Sequence, residues 1–193
     1  VLPMWMVLGL VGLGLTLLTL YVFHARRTSH PVLDLSLLSI PTFHANIIGG
    51  FLFRVGTGAV PFLLPLMLQL SFGLSAFQSG ALTFAGAAGA LVMKTTAGPI
   101  LERFGFKRVL VVNAVISAFF LSLCAAFTAE TPHLLIVVVL LLGGFFRSLQ
   151  FTSLQAIAYA VIPEGKMSNA TSFVSVTQQL SVSAGVAVAA MVL

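Results

Sequence analysis

The chain has 193 residues, 59% of them hydrophobic and 7% charged, with nine basic and four acidic side chains and a formal net charge of +5. Its mean hydropathy is +1.14 and its isoelectric point is near 10.2; so few charges cannot form the polar shell of a soluble domain this size, which excludes that class. The basic balance would ordinarily suggest nucleic acid, but the cations sit at the ends of apolar runs and act as juxtamembrane anchors, so no nucleic-acid partner is expected.

A bilayer core about 30 Å thick takes about 20 apolar residues in a helix. The qualifying runs are 3–23, 43–70, 77–97, 109–128, 133–162 and 169–193. They predict an all-α fold, a polytopic membrane helix bundle. Lys and Arg mark alternate connections: Arg26 and Arg27 in the first, Arg103, Lys107 and Arg108 in the third, and Lys166 in the fifth. The second and fourth connections have none. Anionic cytoplasmic lipid and the membrane potential retain basic loops inside, so 24–42, 98–108 and 163–168 are assigned to the cytoplasm. The chain opens on Val1 and closes within an apolar run, and we expect a fragment of a longer protein. The first run is no signal peptide, because its basic residues follow it.

The first connection contains an apolar stretch, 31–38, too short to cross, which is expected to lie at the cytoplasmic interface or to act as a plain linker. His24, His30 and His133 fall in or beside loops and are expected to be solvated. In the second run Asn46, Gly50, Arg54, Thr57, Gly58, Pro61, Pro65 and Gln69 share an arc of about 140° when residues are placed about 100° apart. Pro61 leaves the carbonyl of Thr57 without its helical partner. At about 42 Å the run is also long enough that it must tilt, bend or protrude.

Ser75 and Gln78 form a capping box for the third run, in which Ala81, Ala85 and Gly89, beside Gly86 and Ala90, predict close helix packing. The fourth run is rich in Leu, Val and Phe and is expected to face lipid. Thr131 as N-cap and Pro132 at the first helical position should open the fifth, and Ser168 should cap the sixth. Ser148, Thr152, Gln155 and Tyr159 make a stripe on the fifth run, with Arg147 adjoining. Thr171, Ser175, Gln178 and Gly185 make another on the sixth. Each stripe taken singly is equally explained by interhelical hydrogen bonds; three together point to a shared hydrophilic pathway lined by Asn46, Arg54, Thr57, Arg147, Gln155, Tyr159 and Gln178. Arg54 and Arg147 cost roughly 2.5–3.5 kcal/mol each at a helix centre. No acid lies within any run, so their partner is a missing segment, backbone and water, or an anionic group of a substrate. A positive wall would disfavour purely cationic substrates.

The third connection, Gly98-Pro99-Ile100-Leu101-Glu102-Arg103-Phe104-Gly105-Phe106-Lys107-Arg108, resembles the loop motif of the major facilitator superfamily. Glu102 stands where Asp is commoner, and Phe106 where a basic residue is usual. The glycines would permit a tight reversal and Glu102 would pair with a basic group or a helix N-terminus. Phe53 to Pro65, Gly73 to Gly80, Gly143 to Arg147 and Val161 to Glu164 are similar to the fourteen-span drug:proton antiporter branch. The resemblance implies a partial major-facilitator-type fold. Residues 1–42 would hold a linker transmembrane helix and interfacial loop, and 43–193 an incomplete C-terminal-half bundle, in a bacterial inner membrane. Gly98, Glu102, Arg103, Gly105, Lys107 and Arg108 would act as a gating latch. The implied function is proton-coupled efflux of small amphiphilic compounds by a monomer, with the proton carried in the missing N-terminal half, because no span here holds a carboxylate. A specific metabolite transporter of the superfamily remains open beside it, as does a membrane module of a receptor or enzyme. No HExxH, GxSxG or CxxC occurs, Cys124 is alone, and neither enzyme activity, metal nor cofactor is expected.

Overall fold

The computed structural model describes residues 3–28 and 31–192. They form seven helices: α1 (Met4–Arg27), α2 (Pro41–Gly58), α3 (Val60–Leu66), α4 (Ala76–Phe104), α5 (Phe106–Ala125), α6 (His133–Tyr159) and α7 (Met167–Val192). Counting α2, α3 and the π-turn Met67–Ser71 as one, six helical units are long and apolar enough to cross a membrane. No strand occurs among the described residues. The predicted all-α bundle is what forms, and large apolar side chains on the outer faces supply its lipid-facing belt.

The second run is broken where its sequence says it must be. Pro61 and Pro65 each remove a backbone donor, and the ladder is interrupted at Ala59 and again at the π-turn. The amides of Phe62 and Leu63 both turn back to the carbonyl of Ala59, at 3.0 and 2.8 Å. Ser75 caps α4 as expected, with both arms of its capping box made. The reversal between α4 and α5 is a single residue, Gly105 at φ 73°, a left-handed conformation that glycine adopts without strain. Gly98, expected to share in that reversal, is helical instead, because α4 continues through Pro99 to Phe104.

Two expected caps are displaced. Pro132 is itself the N-cap of α6, and the Thr131 hydroxyl accepts from the amide of Thr128 at 2.8 Å. Ser168 lies inside α7, which begins at Met167, because the turn Glu164–Lys166 leads straight into the helix. His30 lies outside the described residues; the side chains of His24 and His133 are exposed.

Helix α4 packs on α6 through glycine. A Cβ at Gly89 would run into the carbonyl of Leu141, and one at Gly144 into the backbone of Gly86. Without a hydrophobic drive between helices in lipid, such backbone proximity is a principal source of association. Ala81, counted in the same stripe, is exposed and lies outside the seam.

Segment 31–40 folds onto the end of the bundle. Its turn Leu35–Ser39 buries Leu37 against Phe43 and Ile47 of α2, Ala158 of α6 and Phe173 of α7. Asp34 caps that turn through the amide of Ser36 at 2.9 Å and pairs with Lys166 Nζ at 2.7 Å. Lys166 also donates to Ser36 Oγ at 2.9 Å, Asn169 to the Pro31 carbonyl at 2.8 Å, and the Leu33 amide to Tyr21 Oη at 2.7 Å. The first and fifth connections therefore share one end of the molecule, as the alternation of basic loops requires.

Candidate functional site

The two proline breaks leave space beside α3. A cavity of about 270 Å³ lies among α2–α3, α4, α5 and α6. Thr57, Pro61 and Pro65 border it from one side, Thr83 and Gly86 from α4, Ser117, Phe120 and Cys124 from α5, and Gly143, Gly144 and Arg147 from α6. The glycines matter because they bring backbone rather than side chain to the wall. Among the described residues no α7 side chain lines it.

Arg147 supplies the charge. It is half-buried, and among the described residues its guanidinium has no hydrogen bond or ion pair. Ser117 Oγ, on a residue 5% exposed, is buried without a partner. The Thr57 and Thr83 hydroxyls, by contrast, donate to carbonyls of their own helices, Phe53 and Ser79, each at 2.9 Å. A second, predominantly apolar cavity of about 700 Å³ runs between α3 and α5 toward Leu70 and Ala125. Val60, Leu64, Leu121 and Cys124 border both cavities, so the two adjoin.

Of the seven residues read from sequence as one wall, the structure brings Thr57 and Arg147 into the cavity. Asn46 and Arg54 lie instead in the contact of α2 with α6. Asn46 donates to the Leu154 carbonyl at 2.8 Å. Arg54 is 1% exposed, sits over the ring of Phe151 at 5.7 Å, and has Nε and Nη2 without partners. Gly50 leaves room for its guanidinium, since a Cβ there would stand 2.7 Å from Arg54 Nη1. Gln155, Tyr159 and Gln178 are half-buried and outside this cavity.

The polar stripes divide on inspection. Ser148 bridges to the Ala90 carbonyl at 3.3 Å, so it ties α6 to α4. On α7, Thr171 and Ser175 are exposed, while Gly185 packs on Val55 and the buried polar groups are Thr177 and Ser181. Helix α5 is not the plain lipid-facing helix expected. Val111, Val112, Val115 and Phe119 are exposed, but Asn113 and Ser117 point inward. Asn113 Nδ2 donates to the Phe146 carbonyl and to Gln150 Oε1, both at 2.8 Å, and Gln150 Nε2 reaches the Leu110 carbonyl at 3.3 Å. The four-residue spacing of Asn113 and Ser117 was the available signal.

In the loop motif, Glu102, Arg103, Lys107 and Arg108 are exposed at the α4–α5 corner. Glu102 makes no ion pair among the described residues. Arg103 lies over Phe104 at 5.6 Å.

Comparison with known proteins agrees with this architecture. The family model described as Major Facilitator Superfamily matches residues 47–193. Proteins provisionally named multidrug resistance protein MdtD, from Salmonella paratyphi A and Salmonella newport, are each 34% identical over 193 residues, covering 98% of this chain and 40% of theirs. The chain thus spans well under half the length of the curated relatives it matches. With the match running from α2 through α7 across five of the six membrane-spanning units, the chain belongs to the Major Facilitator Superfamily.

Proposed function

We propose that this chain is part of a proton-coupled exporter of small amphiphilic compounds, working as a monomer in the bacterial inner membrane by alternating access. The observation that carries this reading is the cavity beside the proline-broken α3, with Arg147 at its wall, unpaired among the described residues, and an apolar cavity adjoining it. A transporter needs concave space at membrane depth with a few polar groups to orient cargo. The relatives' multidrug-resistance name agrees with it.

In this reading residues 43–193 form the C-terminal-half bundle, and 1–42 a linker helix with its loop. Loops 24–42, 98–108 and 163–168 face the cytoplasm. Thr57 and Arg147 line the cavity, while Gln155, Tyr159 and Gln178 face the other half of the transporter. Gly98, Glu102, Arg103, Gly105, Lys107 and Arg108 work the gate, and the free Glu102 carboxylate finds its partner in the opposite access state. Of the four acids, Asp34 and Glu130 lie outside the candidate spans, and Glu102 and Glu164 lie at the very ends of theirs, none at mid-span, so the proton carrier belongs to another part of the protein.

Everted vesicles carrying the full-length protein test this. An imposed proton gradient should drive accumulation of an amphiphilic dye, and collapsing the gradient should stop it. Accumulation that persists after collapse removes proton coupling. Cysteines at Thr57, Gln155 and Gln178 should also react with a membrane-impermeant thiol reagent; labelling at none of them reduces the stripes to interhelical contacts.

A further inference from the structure

We propose that segment 31–40 is a fixed strap that joins the end of α1 to the adjoining ends of α2, α6 and α7 as one rigid body. Helix α1 then travels with the bundle, and the connection after it is not a joint. The movement in question is that of the transporter reading, on which the proposal rests.

The stretch between Arg27 and Pro41 is the longest connection between consecutive helices of the chain. A connection of that length is the default place for a hinge between moving parts. Its packing is the opposite of a hinge. Leu37 is 1% exposed and sits in a cluster formed by Phe43 and Ile47 of α2, Ala158 of α6, and Ala170 and Phe173 of α7. Leu33, Leu35, Leu38 and Ile40 pack against that cluster. Opening the strap would return these side chains to water, so the closed form is strongly preferred.

The polar contacts fix the path of the chain where the leucines fix its depth. Asp34 accepts from the Ser36 amide and from Lys166 Nζ, and Lys166 also donates to Ser36 Oγ. One ammonium thus ties the start of the strap's turn to the connection before α7. Asn169 of α7 holds the Pro31 carbonyl at 2.8 Å. From the other side, the Leu33 amide donates to Tyr21 Oη of α1 at 2.7 Å, and Ala25 of α1 is buried. The Pro31 carbonyl and the Leu33 amide are main-chain groups, so the backbone itself is pinned between α1 and α7. A latch made to open in every cycle would rest on exposed charge, which exchanges readily with water. Here the charge pair lies at the rim of a buried apolar plug, and the plug is the stronger part.

Two measurements on the full-length protein, with its native cysteines replaced by serine, test this. Spin labels at Leu13→Cys of α1 and Val161→Cys at the end of α6, both exposed positions, report the distance between α1 and the strapped end. In nanodiscs, double electron–electron resonance should give one narrow distance, the same with and without an amphiphilic dye and at acid and alkaline pH. Leu37→Ser should broaden it about twofold or more, because losing a buried anchor lets a segment open locally. A distance that is broad with the strap intact, or that moves with dye or pH, overturns the proposal, as does a distribution that Leu37→Ser leaves unchanged. Should that variant fail to assemble, the distribution with the strap intact decides. In the second measurement, Asp34→Cys and Lys166→Cys are bridged by a short bis-methanethiosulfonate. Dye efflux should stay within about twofold of the unbridged protein, since tying parts that do not separate leaves a rigid-body movement free. Efflux that stops on bridging and returns on reduction means that the strap must open, and rejects the proposal; a pair that does not bridge rejects it too. An unbridged protein that moves no dye sinks the transporter reading alone, while the spin-label distance and the bridging still judge the strap.

Discussion

At Gly144 the place of a methyl group is already taken by the backbone of Gly86. Gly144→Ala must therefore push α4 and α6 apart, and overpacking of that kind costs about 1–3 kcal/mol. The full-length protein in detergent should melt several degrees lower, whereas Gly80→Ala, with nothing within 4 Å of the added carbon, should leave the melt unchanged or slightly raised. Asn113 and Gln150 make a second case. Removing one partner strands the other in a buried setting, at roughly 1–3 kcal/mol, while replacing both with apolar groups is near neutral. Asn113→Ala should thus destabilise more than the double change Asn113→Leu with Gln150→Leu, as read by thermal melting. A smaller loss in the single variant would mean that water replaces the amide. Both effects live on contacts that periodicity alone does not locate: a glycine stripe announces close packing, but its partner helix is set by the fold.

Among the elements, the broken α2–α3 unit is the one whose local chemistry shapes the cavity. Pro61→Ala would return a donor to the ladder and favour a straight helix. We expect melting to hold or rise, and dye efflux to fall several-fold with the protein still in the membrane; undiminished efflux would make the break incidental. At the α4–α5 corner, Glu102→Gln should likewise lower transport several-fold, in keeping with coupling energies of about 1–3 kcal/mol, and unchanged transport would leave the motif a topology anchor. The spans, the basic loops and the Ser75 capping box were legible because each depends on residues close in sequence. The cavity wall was less so. Arg54 and Thr57 share a face of α2, yet Arg54 turns under Phe151 while Thr57 reaches the cavity. A helical wheel gives direction but not neighbour, and the walls from α4 and α5 needed the packing itself.

For the molecule as a whole, the contact between its two distant loops sets an acid limit. The hydrogen bond from Lys166 to Asp34 holds that carboxyl at about 2, against an ordinary 3.8. A carboxyl depressed in the folded state stabilises fully above its unfolded value, and that contribution disappears as pH falls from there through the folded value. With Lys166 46% and Asp34 19% exposed, the pair is worth roughly 0.2–1 kcal/mol. Asp34→Asn should melt slightly below wild type at pH 7, with the gap closing between about pH 4 and pH 2. A gap independent of pH would mean that the turn cap, not the ion pair, is what the substitution removes.

That same ion pair joins residues 132 positions apart, and everything from α2 to α6 lies between them. During synthesis Asp34 leaves the ribosome long before Lys166 exists, so the contact closes only after the intervening spans have been inserted. Had one of them failed to cross, the two side chains would stand on opposite faces of the bilayer, beyond each other's reach. The bridge is thus a proofreading mark on membrane insertion: a parity check that closes only when the number of crossings between its ends is even.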